Sequence, residues 1–236
     1  MTPEPTNAPG TTTTAPTDLR DDPASRKRFL RMMGTGGASA LALVLASCGG
    51  NEEATKAALK AREEEKESPD LKVVVYALAL ENLEADFYQQ VIESGMVKDR
   101  RAADLVKSIG ENEEEHVEAL TAAVKKLGGK PVAKLKTKFE DVLEAGPQQI
   151  LKTAALVENL GAAAYLAQAV NIQDKAILAA ALSIHSVEAR HAAALNKLAG
   201  NGFRGERKLR GTIPDGAFAK PMSKAQVLTR LQPFLA

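Results

Sequence analysis

Leu80-Glu81-Asn82-Leu83 and Val157-Glu158-Asn159-Leu160 are two copies of one phrase, 77 residues apart. Each sets a glutamate among apolar neighbours, where an unpartnered carboxylate is costly. In each copy a tyrosine follows seven residues after the glutamate, at Tyr88 and Tyr165. About thirty residues after each glutamate comes a Glu-x-x-His: Glu113/His116 and Glu188/His191, offset by 75. The chain holds three histidines, and two of them complete this motif. One helix-pair unit therefore occurs twice. Two units are too few for a solenoid, so the pattern reads as a duplication inside a bundle.

Helical periodicity extends outward from these phrases. Ser68-Pro69 fits an N-cap and first helical position. Apolar residues then recur at Val73, Ala77, Leu80, Leu83, Phe87 and Val91 until Ser94-Gly95. A second helix is expected from about Lys98 to Leu127, stopped by Gly128-Gly129. A third is expected from Pro147 to about Val170, and a fourth from about Asp174 to Ala199, closed by Gly200-Asn201-Gly202. Residues 128–146 make a long middle connection between two short ones. The expected fold is all-α, a four-helix bundle with one long crossover between helices 2 and 3. Aromatic residues are 4% of the chain and tryptophan is absent, so alanine and leucine must fill the core.

Glutamate and histidine three apart on a helix project from nearly one face. Two such pairs and two single glutamates, aimed at one centre, supply four carboxylates and two imidazoles. A low-dielectric core does not tolerate four unpaired negative charges. Two divalent cations would neutralise them, and iron or manganese accepts this mixed oxygen and nitrogen set. Glu84 competes with Glu81 for the first-helix place, although its repeat counterpart is Gly161. Glu114 and Glu115 form no Glu-x-x-His pair and read as solvent-facing. Tyr88 and Tyr165 lie almost two turns after Glu81 and Glu158, as partners for a ligand carboxylate or as core residues. His185, one turn before Glu188, reads as a partly exposed histidine or a group supporting the centre; its counterpart is Gly110.

Residues 72–200 resemble the ferritin-like superfamily. The sequences ALENLEADFYQQ (79–90) and ENEEEHVEAL (111–120) resemble the bacterial ferritin-like branch related to plant desiccation-associated proteins. So do Gly216–Pro221 and the closing amphipathic stretch Ser223–Phe234. The resemblance implies Glu81 and Glu158 as terminal carboxylates, Glu113 and Glu188 as bridging ones, and His116 and His191 on one metal each. It also implies oxidation of ferrous iron, disproportionation of peroxide, activation of oxygen, or simple metal holding. A non-enzymatic stress or structural protein of the envelope is the rival class.

The remaining segments speak to location. Residues 1–24 are rich in Thr, Pro and Asp and read as disordered. Residues 25–47 read as an export signal, basic and then apolar, too short and glycine-rich for a membrane span. Ser25–Arg31 (SRKRFLR) resembles a twin-arginine signal with lysine at the second arginine, which leaves a general secretory route open. Leu45-Ala46-Ser47-Cys48-Gly49 resembles a bacterial lipobox, and Cys48 is the chain's single cysteine. The alternative is a plain secretory signal with an incidental cysteine. Residues 48–68 read as a charged tether, 69–200 as the bundle, and 201–236 as an extension with a short helix. The basic cluster Arg204–Arg210 reads as a solvated loop.

The expected setting is extracytoplasmic, anchored to the bacterial envelope through lipidated Cys48. Peroxide, oxygen or ferrous iron are the expected small partners. A net charge of +1 gives no reason to expect nucleic acid. A small homo-oligomer is compatible with a tethered subunit, whereas a large storage shell is not expected. Cys48→Ser is expected to release the chain from the membrane fraction; unchanged retention would count against lipidation.

Overall fold

The computed structural model describes residues 68–203 and 218–236. The export segment, Cys48, the charged tether and the Arg204–Arg210 cluster lie outside the described residues.

Three of the four long helices begin where a side chain satisfies the first amides, and the other starts on a proline after Gly146. The Ser68 hydroxyl accepts from the Leu71 N–H at 3.0 Å, and Pro69 opens α1, Pro69–Ser94. Gly95, at φ 57°, closes it in the left-handed region that glycine adopts most readily. Asp99 caps α2, Arg100–Lys126, accepting from Ala102 N–H at 2.9 Å. Lys125 and Lys126 stand at its C-terminal end, where positive charge is favoured. α4, Pro147–Gln168, starts on proline, and Asp174 caps α5, Lys175–Leu198. The Asp70 carboxylate accepts from the Gln173 and Asp174 amides at 2.7 and 3.0 Å, tying the start of α1 to the α4–α5 connection.

These four helices form the expected all-α ferritin-like bundle. Short connections join α1 to α2 and α4 to α5. Alanines 154, 155, 162, 163 and 164 are buried along α4, so helix backbones approach closely. The long middle connection differs from a plain loop. It carries a five-residue helix α3, Glu140–Glu144, absent from the sequence reading because one turn is too short to show a period.

The crossover is fastened to the C-terminus. α6, Lys224–Leu231, starts with a capping box between Ser223 and Gln226. Beyond it Leu235 pairs with Thr137 in a single β-bridge. The Lys138 N–H donates to the Phe234 carbonyl and the Ala236 N–H to the Lys136 carbonyl, at 3.0 and 2.9 Å. The Thr137 hydroxyl bonds Asp86 of α1. Phe139 is thereby pressed into the core between Phe87 and Phe234, with ring centroids 4.8 and 5.4 Å away. Phe139→Ala is expected to cost about 3–5 kcal/mol of stability, because the ring is fully buried between Phe87 and Phe234. Denaturant unfolding measures this, and a loss under 1 kcal/mol would mean that the crossover is not held through this ring.

Candidate metal centre

The duplicated motif residues converge in the middle of the bundle. Glu81 comes from α1, Glu113 and His116 from α2, Glu158 from α4, and Glu188 and His191 from α5. All four of these carboxylates are fully buried, and the two imidazoles nearly so. Glu81, Glu113, His116 and Glu188 each offer a donor atom within 4.8 Å of the others. Glu113, Glu158, Glu188 and His191 do the same. Glu113 and Glu188 belong to both groups. Each group takes three residues from one half of the duplication and one from the other.

His116 Nδ1 bonds Glu81 and Glu113, but the other donor atoms crowd without bonding. His116 Nδ1 stands 3.0 Å from Glu113 Oε2, 3.2 Å from Glu81 Oε2 and 3.3 Å from Glu188 Oε1. His191 Nδ1 stands 3.0 Å from Glu113 Oε1 and 3.2 Å from Glu158 Oε2. Yet Glu113 Oε1, Glu158 Oε2, both Glu188 oxygens and His191 Nδ1 make no hydrogen bond. Buried polar atoms normally find partners, and orphans in a cluster call for an ion or a water. Adjacent ligands of an octahedral ion with bonds of about 2.1 Å lie about 3.0 Å apart, which is the spacing found here. The residues present therefore fit metal ions.

The tyrosines are crossed. The Tyr88 hydroxyl donates to Glu158 Oε1 at 2.5 Å, and the Tyr165 hydroxyl donates to Glu81 Oε1 at 2.5 Å. Each tyrosine holds the carboxylate of the other half, not of its own helix. Helical spacing in one chain cannot reveal a contact made across two helices. Burial, followed by the Glu158 charge for Tyr88 and the Glu81 charge for Tyr165, raises both phenols well above the usual value. They remain donors throughout the physiological range.

The remaining candidates divide. Glu84 is buried, as Glu81 is, but stands outside the two four-residue groups. His185 also stands outside them, half-buried against the Ala162 backbone, and burial lowers its pKa. Glu114 and Glu115 are exposed, as expected. One supporting residue escaped the sequence reading: the Asn112 side-chain amide lies 3.0 Å from His191 Nε2. As placed, the Asn112 Nδ2–H donates to Nε2. When Nδ1 is given to an ion and Nε2 carries the ring proton, the amide turns over so that its oxygen accepts, and the same contact fixes the ring. Val187 is its counterpart in the other half, so the repeat gave no signal.

The carboxylates and imidazoles hold one another in altered protonation states. Burial raises the Glu81 carboxyl, but the His116 charge and bonds from His116, Glu113 and Tyr165 outweigh it, leaving it below the usual value. Burial and repulsion from Glu113, Glu158 and Glu81 push Glu188 well up. Burial lowers His116, but Glu81 and Glu113 carry it well above the ordinary imidazole value.

An all-helical bundle around a buried carboxylate and imidazole cluster that can hold metal ions defines the class. The chain belongs to the ferritin-like domain family, whose model matches residues 69–201, more than half of the 236 residues. No curated protein sequence matches the chain.

Two groups give the metal-free chain a pH response of known sign. Burial and the Glu158 charge push Glu113 from 4.5 up to about 7, against the pull of His116. Burial lowers His191, but Glu158 and Glu113 overcome it and carry the ring from 6.5 to about 9. Both folded values exceed the unfolded ones, so the folded chain binds more protons and stability falls as pH rises through this window. The His191 contribution is complete below about 6.5 and lost through about 9. The metal-free Tm is expected to be lower at pH 9 than at pH 6, and saturating Mn²⁺ to shrink that difference, since ions bind the deprotonated donors. A metal-free Tm that rises with pH would contradict this charge arrangement.

Proposed function

We propose that this chain is a two-metal redox protein of the cell envelope, acting on peroxide, oxygen or ferrous iron. Glu81 would hold one ion and Glu158 the other, Glu113 and Glu188 would serve both, and His116 and His191 would take one each. The observation that carries the reading is that the two donor groups share Glu113 and Glu188 and nothing else. That is the connectivity two carboxylate-bridged ions require. Iron or manganese bound there would supply or accept electrons, and the chain's own residues do the rest.

Those residues first fix the donors. Tyr88 and Tyr165 each occupy one oxygen of Glu158 and Glu81, which turns the other oxygen inward. Asn112 orients His191. They also restrict what can enter. The four motif carboxylates are sealed, and only His116 and His191 reach the surface, at 12% and 9% side-chain exposure. Such an opening favours a reactant of a few atoms over an organic substrate. A lipid-tethered subunit outside the cytoplasm is badly placed to store iron for cytosolic use. Protection against oxidants at the envelope, as under drying or oxidative stress, suits it better.

Metal analysis of protein made without the signal is the direct test. About two iron or manganese atoms per chain are expected, with most lost in Glu113→Ala and Glu188→Ala because each variant removes a donor common to both positions. A wild-type chain free of metal after purification without chelator, and no more stable than the variants, would sink the proposal. With metal present, peroxide consumption and ferrous oxidation separate the two redox roles. Activity in neither leaves a non-enzymatic metal-binding stress protein.

A further inference from the structure

Glu84 lies one turn after Glu81 on α1, and its counterpart in the second half is Gly161. It is only 3% exposed. A methyl group built on Gly161 would lie 2.9 Å from Glu84 Oε1 and 2.9 Å from Glu188 Oε2. The two carboxylates thus lean into the space that the missing side chain leaves. Glu84 Oε2 and both Glu188 oxygens make no hydrogen bond. The charges that act most strongly on Glu84 are those of Glu188, Glu81, Glu158 and Glu113, all of one sign. A buried carboxylate facing other carboxylates, with an orphan oxygen, is held in place only if a cation or proton stands between them.

We propose that Glu84 is a fifth metal carboxylate of the centre, reaching an ion beside Glu188 through the gap that Gly161 leaves. The inference rests on the two-ion reading and adds a donor to it. It explains why the duplication is broken here: a side chain at 161 would displace both carboxylates, and a glycine at 84 would leave one donor fewer. It also makes the two halves of the centre inequivalent, since the second half has no matching carboxylate.

The test is titration of the metal-stripped full chain with Mn²⁺ under anaerobic conditions, followed by calorimetry. Glu84→Gln keeps the volume and removes the charge. Gly161→Ala keeps the charge and fills the gap. Both are expected to retain wild-type helicity and to weaken one of the two binding steps about tenfold or more, the range for groups that support metal ligands. The double variant should be no worse than the weaker single variant, because both changes act on one contact. Affinities within threefold of wild type for Glu84→Gln would overturn the proposal. So would a loss in Gly161→Ala alone, which would mean that the gap serves only Glu188. A wild-type chain that binds no ion overturns the two-ion reading itself, whereas wild-type affinity in Glu84→Gln overturns this inference alone.

Discussion

Burying several carboxylates in one low-dielectric core is the constraint on which the rest of this structure depends. Glu81, Glu113, Glu158 and Glu188 are fully buried, and Glu84 is nearly so. Each would cost several kcal/mol if left charged and alone. The bundle meets that cost locally, with two imidazoles, two phenolic donors and a spacing suited to cations. Without those compensations the close packing of α4 on its neighbours would work against the fold, because excluding water strengthens repulsion as much as attraction.

The compensation is shared across the duplication. Neither half completes its own donor group: the first borrows Glu188, the second borrows Glu113. Tyr88 steadies Glu158 and Tyr165 steadies Glu81. The halves are therefore bound by polar contacts at the centre as well as by apolar packing around it. Their relative placement is fixed from outside too, because the crossover is pinned to α1 through Thr137 and Asp86 and to the C-terminus through the Leu235 bridge.

Where the halves differ, each difference has a spatial reason. A methyl on Gly110, the counterpart of His185, would lie 3.1 Å from Tyr88 Cβ, so its absence lets α2 approach α1 beside that ring. Gly161, the counterpart of Glu84, opens the gap into which Glu84 and Glu188 lean. Asn112 supports His191, while the matching Val187 offers no hydrogen bond.

The sequence by itself determined the helices and the motif. Ser68 announces a helix start because capping is a local bond between a side chain and an amide within three residues. The Glu-x-x-His pairs were legible because three-residue spacing on a helix is also local. The repeat then supplied Glu81 and Glu158. Only the tertiary structure decided the rest: that the tyrosines cross, that Asn112 meets His191, that Glu84 joins Glu81 in the core without displacing it, and that Phe139 plugs the crossover. The tyrosine, Asn112 and Phe139 contacts join residues 52 to 95 positions apart. Periodicity fixes which face a residue occupies, but the rotation and approach of neighbouring helices fix what that face meets.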